Sequence, residues 1–466
     1  MDIDTSPGAD LLRQMDEAKV SGAHWKILFI SGMGFFTDAY DLFIIGVVMA
    51  LIKEEWHPSA DLVGLVSSTA LLASAIGAVA FGRIADMVGR KRIYGYEVLV
   101  LAIGAIASAL SPNIWWLIGF RFILGVGIGG DYPVSSTIMS EYSNRRTRGM
   151  MVTLVFTMQA AGLIFGPLLA SAMLASDLPH PLVWRLLLAL GALPALAVFQ
   201  MRRHLAETPR YLLWAGRHDE LSTAAATVLG SASVAPARGS AAGLPPHESF
   251  GHGFIRLVSE RRMLLRLLGA SLAWFMMDFA YYGNTVSTPL VLAALTPKQS
   301  LLQHTLTQLA IFAIAALPGY FVAALTMDRL GRKPIQILGF AMMAVSFGAM
   351  AAIPGIERLV VPFLIIYGIS YFFTEFGPNA TTFVYPAEIF RVDTRTTAHG
   401  IAAASGKIGA FVGVFLFPIL LAWKGLVAAE GTAALASILG LVATVGLLPE
   451  TKGMSLEELT QQPAAT

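Results

Sequence analysis

Polar residues are nearly absent from long stretches of this chain, and those stretches recur. Apolar runs cover approximately 25–52, 60–85, 93–111, 114–139, 149–175, 183–201, 265–294, 303–326, 334–353, 359–387, 397–422 and 426–447. A helix needs about 20 such residues to cross a bilayer, so twelve spanning helices are expected. Six precede and six follow a polar connection at about 202–264. The expected fold class is an all-α membrane protein with twelve transmembrane helices in two pseudo-symmetric six-helix halves. The expected divisions are an N-terminal segment (1–24), a first half (25–201), a linker (202–264), a second half (265–447) and a C-terminal tail (448–466).

The few polar positions repeat. Gly130-Asp131-Tyr132-Pro133 is followed by Glu141 and Arg148, and Gly377-Pro378-Asn379 by Glu388 and Arg395. The Gly-to-Glu spacing is 11 and the Glu-to-Arg spacing is 7 in both, at an offset of 247. Asp86-x-x-Gly89-Arg90-Lys91 returns as Asp328-x-x-Gly331-Arg332-Lys333, Glu207-Thr208 as Glu450-Thr451, and Phe35-x-x-Asp38 as Phe275-x-x-Asp278, at offsets of 242, 243 and 240. Four pairs in one order mark a duplication into two halves rather than a solenoid. A duplicated membrane protein places its site between the halves, near the midplane.

Composition agrees. The chain is 56% hydrophobic and 13% charged, with a mean hydropathy of +0.66; soluble domains carry about 25% charge. There is no cysteine, which excludes disulfides, thiolate metal sites and a cysteine nucleophile. The first 24 residues are polar and mixed in charge, so they do not read as a cleaved signal; the first spanning helix is expected to act as an uncleaved insertion signal. Basic residues gather between spans two and three (Arg83, Arg90, Lys91, Arg92), four and five (Arg145, Arg146, Arg148), eight and nine (Arg329, Arg332, Lys333), and ten and eleven (Arg391, Arg395). The positive-inside rule puts these loops and both termini in the cytoplasm. The expected location is the plasma (cell inner) membrane. The linker is rich in Ala, Gly, Ser and Pro around 230–248, as a flexible connection would be.

An ionisable side chain at the centre of a spanning helix costs about 2.5–3.5 kcal/mol, so each one needs a reason. The candidates are Asp38, Asp41, Glu97, Arg121, Asp131, Asp278, Glu375, His399 and Lys407. Asp38 and Asp41 share a helix face and read either as a water-bonded acid pair or as a proton relay, since two adjacent carboxylates do not both ionise easily. In span four, Pro133 leaves the carbonyl near Gly129 without its usual donor, putting Asp131 and Tyr132 beside a kink on the cavity wall. Trp274, Asp278 and Tyr282 form one stripe at i, i+4, i+8. Lys407 is too far from a helix end to snorkel; it serves either as the partner of Asp131, Asp278 or another acid, or to attract an anion, or both in turn. Gln159, 248 residues earlier, is its uncharged counterpart. Asn379 follows Pro378, with Thr381 and Thr382 near enough to satisfy freed backbone groups.

The loop motifs read as membrane-surface charge or as a gate. Asp86, Arg90, Asp328 and Arg332, with Glu141, Arg148, Glu388 and Arg395, form the expected cytoplasmic latch. No phosphate-cradling Gly-x-x-x-x-Gly-Lys-Ser/Thr loop is present. No metal cluster or nucleophile–base pair is visible, so neither an enzyme nor a cofactor is expected.

Together these residues resemble the major facilitator superfamily, and Glu207-Thr208-Pro209-Arg210 and Pro449-Glu450-Thr451-Lys452-Gly453 place the resemblance near its sugar-porter-like branch. Gly34-Phe35-Phe36-Thr37-Asp38-Ala39-Tyr40-Asp41, Gly129-Gly130-Asp131-Tyr132-Pro133-Val134-Ser135-Ser136-Thr137, and Thr397-Ala398-His399-Gly400 leading into Ala403-Ala404-Ser405-Gly406-Lys407 are similar to the phosphate:proton symporter family in particular. The resemblance covers nearly the whole chain; Ala324 stands where the second loop motif usually has glycine. It implies a proton-coupled inorganic phosphate importer. The phosphate site would be Tyr132, Gln159, Trp274, Asp278, Tyr282 and Asn379 with Lys407 nearby, and protons would be handled by Asp38, Asp41, Glu97, Asp131 and Asp278. Its partners would be inorganic phosphate, protons and the lipid bilayer, with no nucleic acid, and it would act as a monomer. The competing readings are a sugar or organic-anion transporter of the same superfamily, and a phosphate-sensing receptor with little flux.

Overall fold

The computed structural model describes residues 9–176, 178–230 and 250–461. The Ala/Gly/Ser/Pro stretch expected to be a flexible linker lies outside the described residues, apart from Gly230. Among the described residues the secondary structure is helical, with no strand.

Ten spanning helices follow in order: α1 (Gly22–Trp56), α2 (Ala60–Val88), α3 (Tyr96–Ala109), α4 (Ile114–Tyr142), α5 (Arg148–Leu174), α6 (His180–Arg202), α7 (Arg261–Leu295), α8 (Leu301–Leu330), α9 (Arg332–Ala352) and α10 (Val360–Glu388). The last helical stretch, Arg395–Leu447, has 53 residues, but Lys424 (φ −136°, ψ 21°) and Gly425 (φ 65°, ψ −156°) break it. It therefore crosses twice, as α11 (395–423) and α12 (426–447). The positive φ at Gly425 is one a side chain rarely tolerates, which is why the turn falls there. The twelve expected spans are all present. Several run further than their apolar sequence, α4 to Tyr142 and α10 to Glu388, because the charges at those ends are buried in ion pairs instead of marking the water interface.

Short helices occupy the polar connection at Pro209–Trp214, His218–Leu229 and Phe250–Ser259, and helices Ala9–Glu17 and Leu456–Gln461 flank the bundle. Outward-facing side chains are apolar, as at Ile314, Leu325, Val361 and Ile365, which suits lipid contact.

The duplication is visible in packing. A Cβ on Gly162 of α5 would meet the Phe36 carbonyl of α1, and one on Gly409 of α11 would meet the Phe275 carbonyl of α7. The two glycines lie 247 residues apart, so each half repeats one close helix–helix approach of the small-residue kind found in membranes.

The halves are locked at the end that carries both flanking helices. Asp86 at the end of α2 accepts bonds from the Thr396 and Thr397 amides at 3.3 and 2.6 Å. Asp328 at the end of α8 accepts bonds from the Gly149 and Met150 amides at 3.1 and 2.8 Å. Each aspartate thus caps the first turn of a helix in the other half, where unpaired N–H groups and the helix dipole favour an anion. Glu141 takes Arg90 of its own half at 3.1 Å and Arg395 of the other at 2.9 Å. Glu388 takes Arg332 at 2.7 Å and Arg148 at 3.0 Å. The Thr208 and Thr451 hydroxyls donate at 2.5 Å to the second oxygen of Glu141 and of Glu388, and Glu207 and Glu450 receive the Lys91 and Lys333 amides. The expected latch residues do converge, but each glutamate bonds the arginine that follows the other half's glutamate. The Glu-Thr repeats are part of the latch, which the motif reading had not assigned. Ala324 is fully buried, so the methyl that replaces the usual glycine is accommodated.

Removing one partner of a buried ion pair costs about 3–5 kcal/mol. Glu388→Gln should therefore loosen this end. The chain has no cysteine, so Ser140→Cys, whose site bonds the Ala387 carbonyl across the seam, provides a clean probe. Maleimide labelling of this cysteine is expected to be about tenfold faster or more with Glu388→Gln; an unchanged rate would show that the pairs do not hold the seam closed.

Candidate functional site

Halfway along the seam, Lys407 on α11 points at α7. Its Nζ lies 3.2 Å from Asp278 Oδ2 and 3.0 Å from the Tyr282 hydroxyl. The ammonium also faces the rings of Tyr132 and Tyr282, at 4.4 and 4.5 Å from their centres. Tyr132 comes from α4, so both halves supply the cage. Cation–π contact with desolvated rings adds roughly 2 kcal/mol. Tyr282 is stacked by Phe43 of α1, with centroids 5.6 Å apart. One turn below Asp278, Trp274 packs against Tyr132 and His399. Every residue of the cage is at most 2% exposed, so water is excluded and each charge must be answered by protein. Of the two acids the sequence offered as partner to Lys407, it takes Asp278.

The floor is aromatic: Phe383 of α10 stacks on Phe156 of α5 at 4.7 Å and meets Phe35 and Tyr132 edge-on. His399 Nε2 lies 3.1 Å from the Phe383 carbonyl, which assigns the proton to that nitrogen. Gln159 lies on α5, one turn from Phe156; it is buried, with an unpartnered Oε1.

Asn379 is held differently. Glu375–Asn379 is a π turn, with Gly377 at φ −101°, ψ −112° and Pro378 unable to donate. Such bulges cluster at functional sites. The Asn379 amide donates to the Tyr320 hydroxyl at 2.9 Å and to Glu375. Tyr320 and Glu375 were not among the expected site residues, although Glu375 stands out as a carboxylate in an apolar span.

Asp131 faces away from Lys407. Arg202 at the end of α6 bonds Asp131 at 2.8 Å and Glu97 at 2.7 Å, lies over the Tyr94 ring at 4.2 Å, and shares Asp131 with the Ser135 hydroxyl. Two expected proton-handling acids are thus joined by one guanidinium. Arg202 was missed because it closes an apolar run and reads as an interface charge; its only advance signal is that Glu97 and Asp131 need a cation. Asp38 and Asp41 diverge. Asp38 has Asp131, Arg202, Asp41 and Lys407 as charged neighbours. Asp41 lies against Gly191, where α6 breaks, beside Arg121, which donates to the Asp41 backbone carbonyl at 3.1 Å. Neither carboxylate has a hydrogen-bond partner among the described residues. Among the described residues no group of acids and histidines is arranged to hold a metal.

A duplicated twelve-helix bundle, latched at one end and enclosing charged residues at the seam between its halves, is the architecture of a secondary transporter. The chain belongs to the sugar (and other) transporter family, whose model matches residues 26–462. It is 37% identical to the probable inorganic phosphate transporter 1-6 of Arabidopsis thaliana, over 97% of this chain and 96% of the relative. It is 34% identical to the inorganic phosphate transporter 1-1 of Oryza sativa subsp. japonica, over 98% and 97%. Among solved structures, the major facilitator proton:xylose symporter XylE bound to 6-bromo-6-deoxy-D-glucose superposes with a TM-score of 0.81 at 20% identity, over 95% of this chain and 99% of that one. The partially occluded inward-open form of XylE from E. coli gives 0.75 at 18% identity, over 93% and 100%. The fold is therefore the major facilitator fold, and the chain is a multi-pass membrane protein.

Lys407→Met leaves Asp278 buried without its cation and is expected to destabilise the detergent-solubilised protein by about 3–5 kcal/mol. Adding Asp278→Asn should restore most of the lost Tm. A double variant no more stable than Lys407→Met would show that the pair is not what holds α7 to α11.

Proposed function

We propose that the protein is a proton-coupled inorganic phosphate importer working by alternating access, with the 25–201 and 265–447 halves moving about the seam. The observation that carries this is the ammonium of Lys407, desolvated and shared between the Asp278 carboxylate and Tyr282 hydroxyl of its own half and the Tyr132 ring of the other. Near-full-length relatives named as inorganic phosphate transporters support the choice of anion. The basic latch faces the cytoplasm in this reading, with both termini, because Lys and Arg concentrate in those loops, and the membrane is the plasma (cell inner) membrane.

An anion approaching ionised Asp278 is repelled. A proton on Asp278 removes that repulsion, converts an acceptor to a donor, and releases Lys407 from its partner. Protons thus favour phosphate binding, and phosphate favours proton uptake by the same factor. Tyr132, Tyr282, Trp274, Gln159 and Asn379 supply the remaining hydrogen bonds to phosphate. The Arg202-bridged acids Glu97 and Asp131, with Asp38 and Asp41, carry protons in the first half. When the latch opens, water reaches the pocket, Asp278 re-forms its pair with Lys407, and both proton and phosphate leave. A membrane potential contributes about 2.3 kcal/mol per net charge per 100 mV, so electrogenic uptake of a monoanion requires more than one proton.

In proteoliposomes, radiolabelled phosphate is expected to accumulate when the outside is acid, and Lys407→Ala should abolish it. Asp278→Asn should retain phosphate–phosphate exchange and lose accumulation. Asp278→Asn protein that still concentrated phosphate would overturn the coupling role, and failure of folded wild-type protein to move phosphate would overturn the choice of substrate.

A further inference from the structure

One buried acid has no part in the cycle above. Glu430 lies in α12 about five residues, or roughly 7.5 Å, from the break at Gly425, at the end of the bundle opposite the latches. It is fully buried. No ion pair involves it among the described residues, and the Asn284 side chain lies within hydrogen-bonding reach of its carboxylate. Its polar neighbours include Asn284 of α7 and Tyr367 of α10. The Asn284 Nδ2 is engaged with the Ala280 carbonyl at 3.1 Å. An isolated ionised carboxylate is expensive in such a place; a proton removes that cost.

From Glu430 a file of hydroxyls leads inward. The Tyr367 and Thr288 hydroxyls are 2.8 Å apart, Thr288 and Tyr371 3.0 Å, and Tyr371 donates to Thr285 at 3.1 Å. Tyr371 and Thr285 border a small cavity, also lined by Tyr281, Ser370 and Thr374, that admits the centre of a water molecule over about 10 Å3, room for one. Beyond it, the Tyr281 hydroxyl has no conventional partner but faces Glu375. Glu375 also meets Asn379 and Tyr320, has an unpartnered Oε1, and has Asp278 as its charged neighbour. Glu375 lies 15 residues into α10 from Val360, about 22 Å of helix, which is near mid-membrane depth or just beyond it. Two unpaired carboxyls, one shallow and one deep, are therefore joined by groups that each donate and accept.

We propose that Glu430, the Tyr367–Thr288–Tyr371–Thr285 hydroxyls and Glu375 form a proton conduit in the C-terminal half that loads the central pocket from the face opposite the latches. A proton from water neutralises Glu430. It passes on as each hydroxyl, then a water in the small cavity and the Tyr281 hydroxyl, accepts one proton and releases another, leaving each carrier unchanged, and neutralises Glu375 beside Asn379. This is a separate branch from the Arg202-bridged acids of the first half, and it rests on the reading of the protein as a proton-coupled importer. A purely structural role, polar glue between α7, α10 and α12, is the alternative.

The test uses full-length protein in proteoliposomes with an internal pH dye and radiolabelled phosphate. Glu430→Gln and, independently, Tyr367→Phe, which breaks the file without touching a carboxyl, are compared with wild type. The expected result is proton-driven accumulation reduced about tenfold or more, phosphate–phosphate exchange and Tm close to wild type, and, for Glu430→Gln, loss of a protonated-carboxyl infrared band. Wild-type accumulation, proton flux and carboxyl band in both variants would overturn the conduit; equal losses of exchange, accumulation and Tm would assign the file to structure instead. Wild-type protein that carries no phosphate would instead refute the substrate reading; the infrared band and dye-reported proton entry would still decide the conduit.

Discussion

A charge inside this bundle has no water to turn to, and the structure follows from that one constraint. Arg90, Arg148, Arg332 and Arg395 at the latch end each meet a carboxylate, and each latch glutamate meets two arginines and a threonine hydroxyl. Because one arginine of each pair comes from the other half, satisfying the charges and closing the seam are the same event. The capping aspartates obey the same rule, each meeting an arginine of its own half and backbone N–H groups of the other. Such buried pairs add little net stability over apolar packing, but breaking one is costly. They are therefore better suited to defining two discrete arrangements of the halves than to strengthening either.

Much of this is legible in the sequence because hydrophobicity and repetition are one-dimensional signals. The twelve spans, the duplicated motifs and the stripe Trp274–Asp278–Tyr282 need only spacing. What spacing cannot give is which charge faces which. Glu141 and Arg148 are seven residues apart and suggest a local pair, yet Arg148 bonds Glu388, 240 residues away. Asp38 and Asp41 share a face by periodicity, but the missing side chain at Gly191 of α6 makes room for Asp41. Arg202 and Glu430 sit near the ends of apolar runs, where a charge ordinarily marks the interface; only the packing of α3 and α4 around one, and of α7 and α10 beside the other, reveals them as buried. The π turn at Glu375–Asn379 shows in sequence as Gly377-Pro378 but not as the widened turn that turns Asn379 toward Tyr320.

The latch and the pocket use the same chemistry in opposite proportions. At the latch each glutamate meets two guanidiniums, one of which also pairs with the capping aspartate of its own half. In the cage one ammonium serves one carboxylate, with hydroxyls and ring faces completing its shell. An arginine there would hold Asp278 bidentately and compete poorly for an arriving anion's geometry; a lysine is a point charge with rotatable donors and can change partners without rebuilding the wall. The proposed cycle needs that property: the cation that neutralises the acid at rest must be free to meet phosphate when the acid is protonated.

The same contrast explains why an acid with no cation has a place here at all. Asp278 is tied to Lys407, and Glu97 and Asp131 to Arg202, so a proton reaching either group competes with an ion pair. Glu430 and Glu375 have no cation partner among the described residues, and the groups between them are hydroxyls rather than charges. A carrier that must take protons from one side and keep its latches ionised on the other gains by separating the two kinds of carboxyl. Those that hold the halves together are surrounded by arginine, and those of the proposed conduit by tyrosine, threonine and asparagine. The C-terminal half, which also carries the lysine, is where the second kind is concentrated.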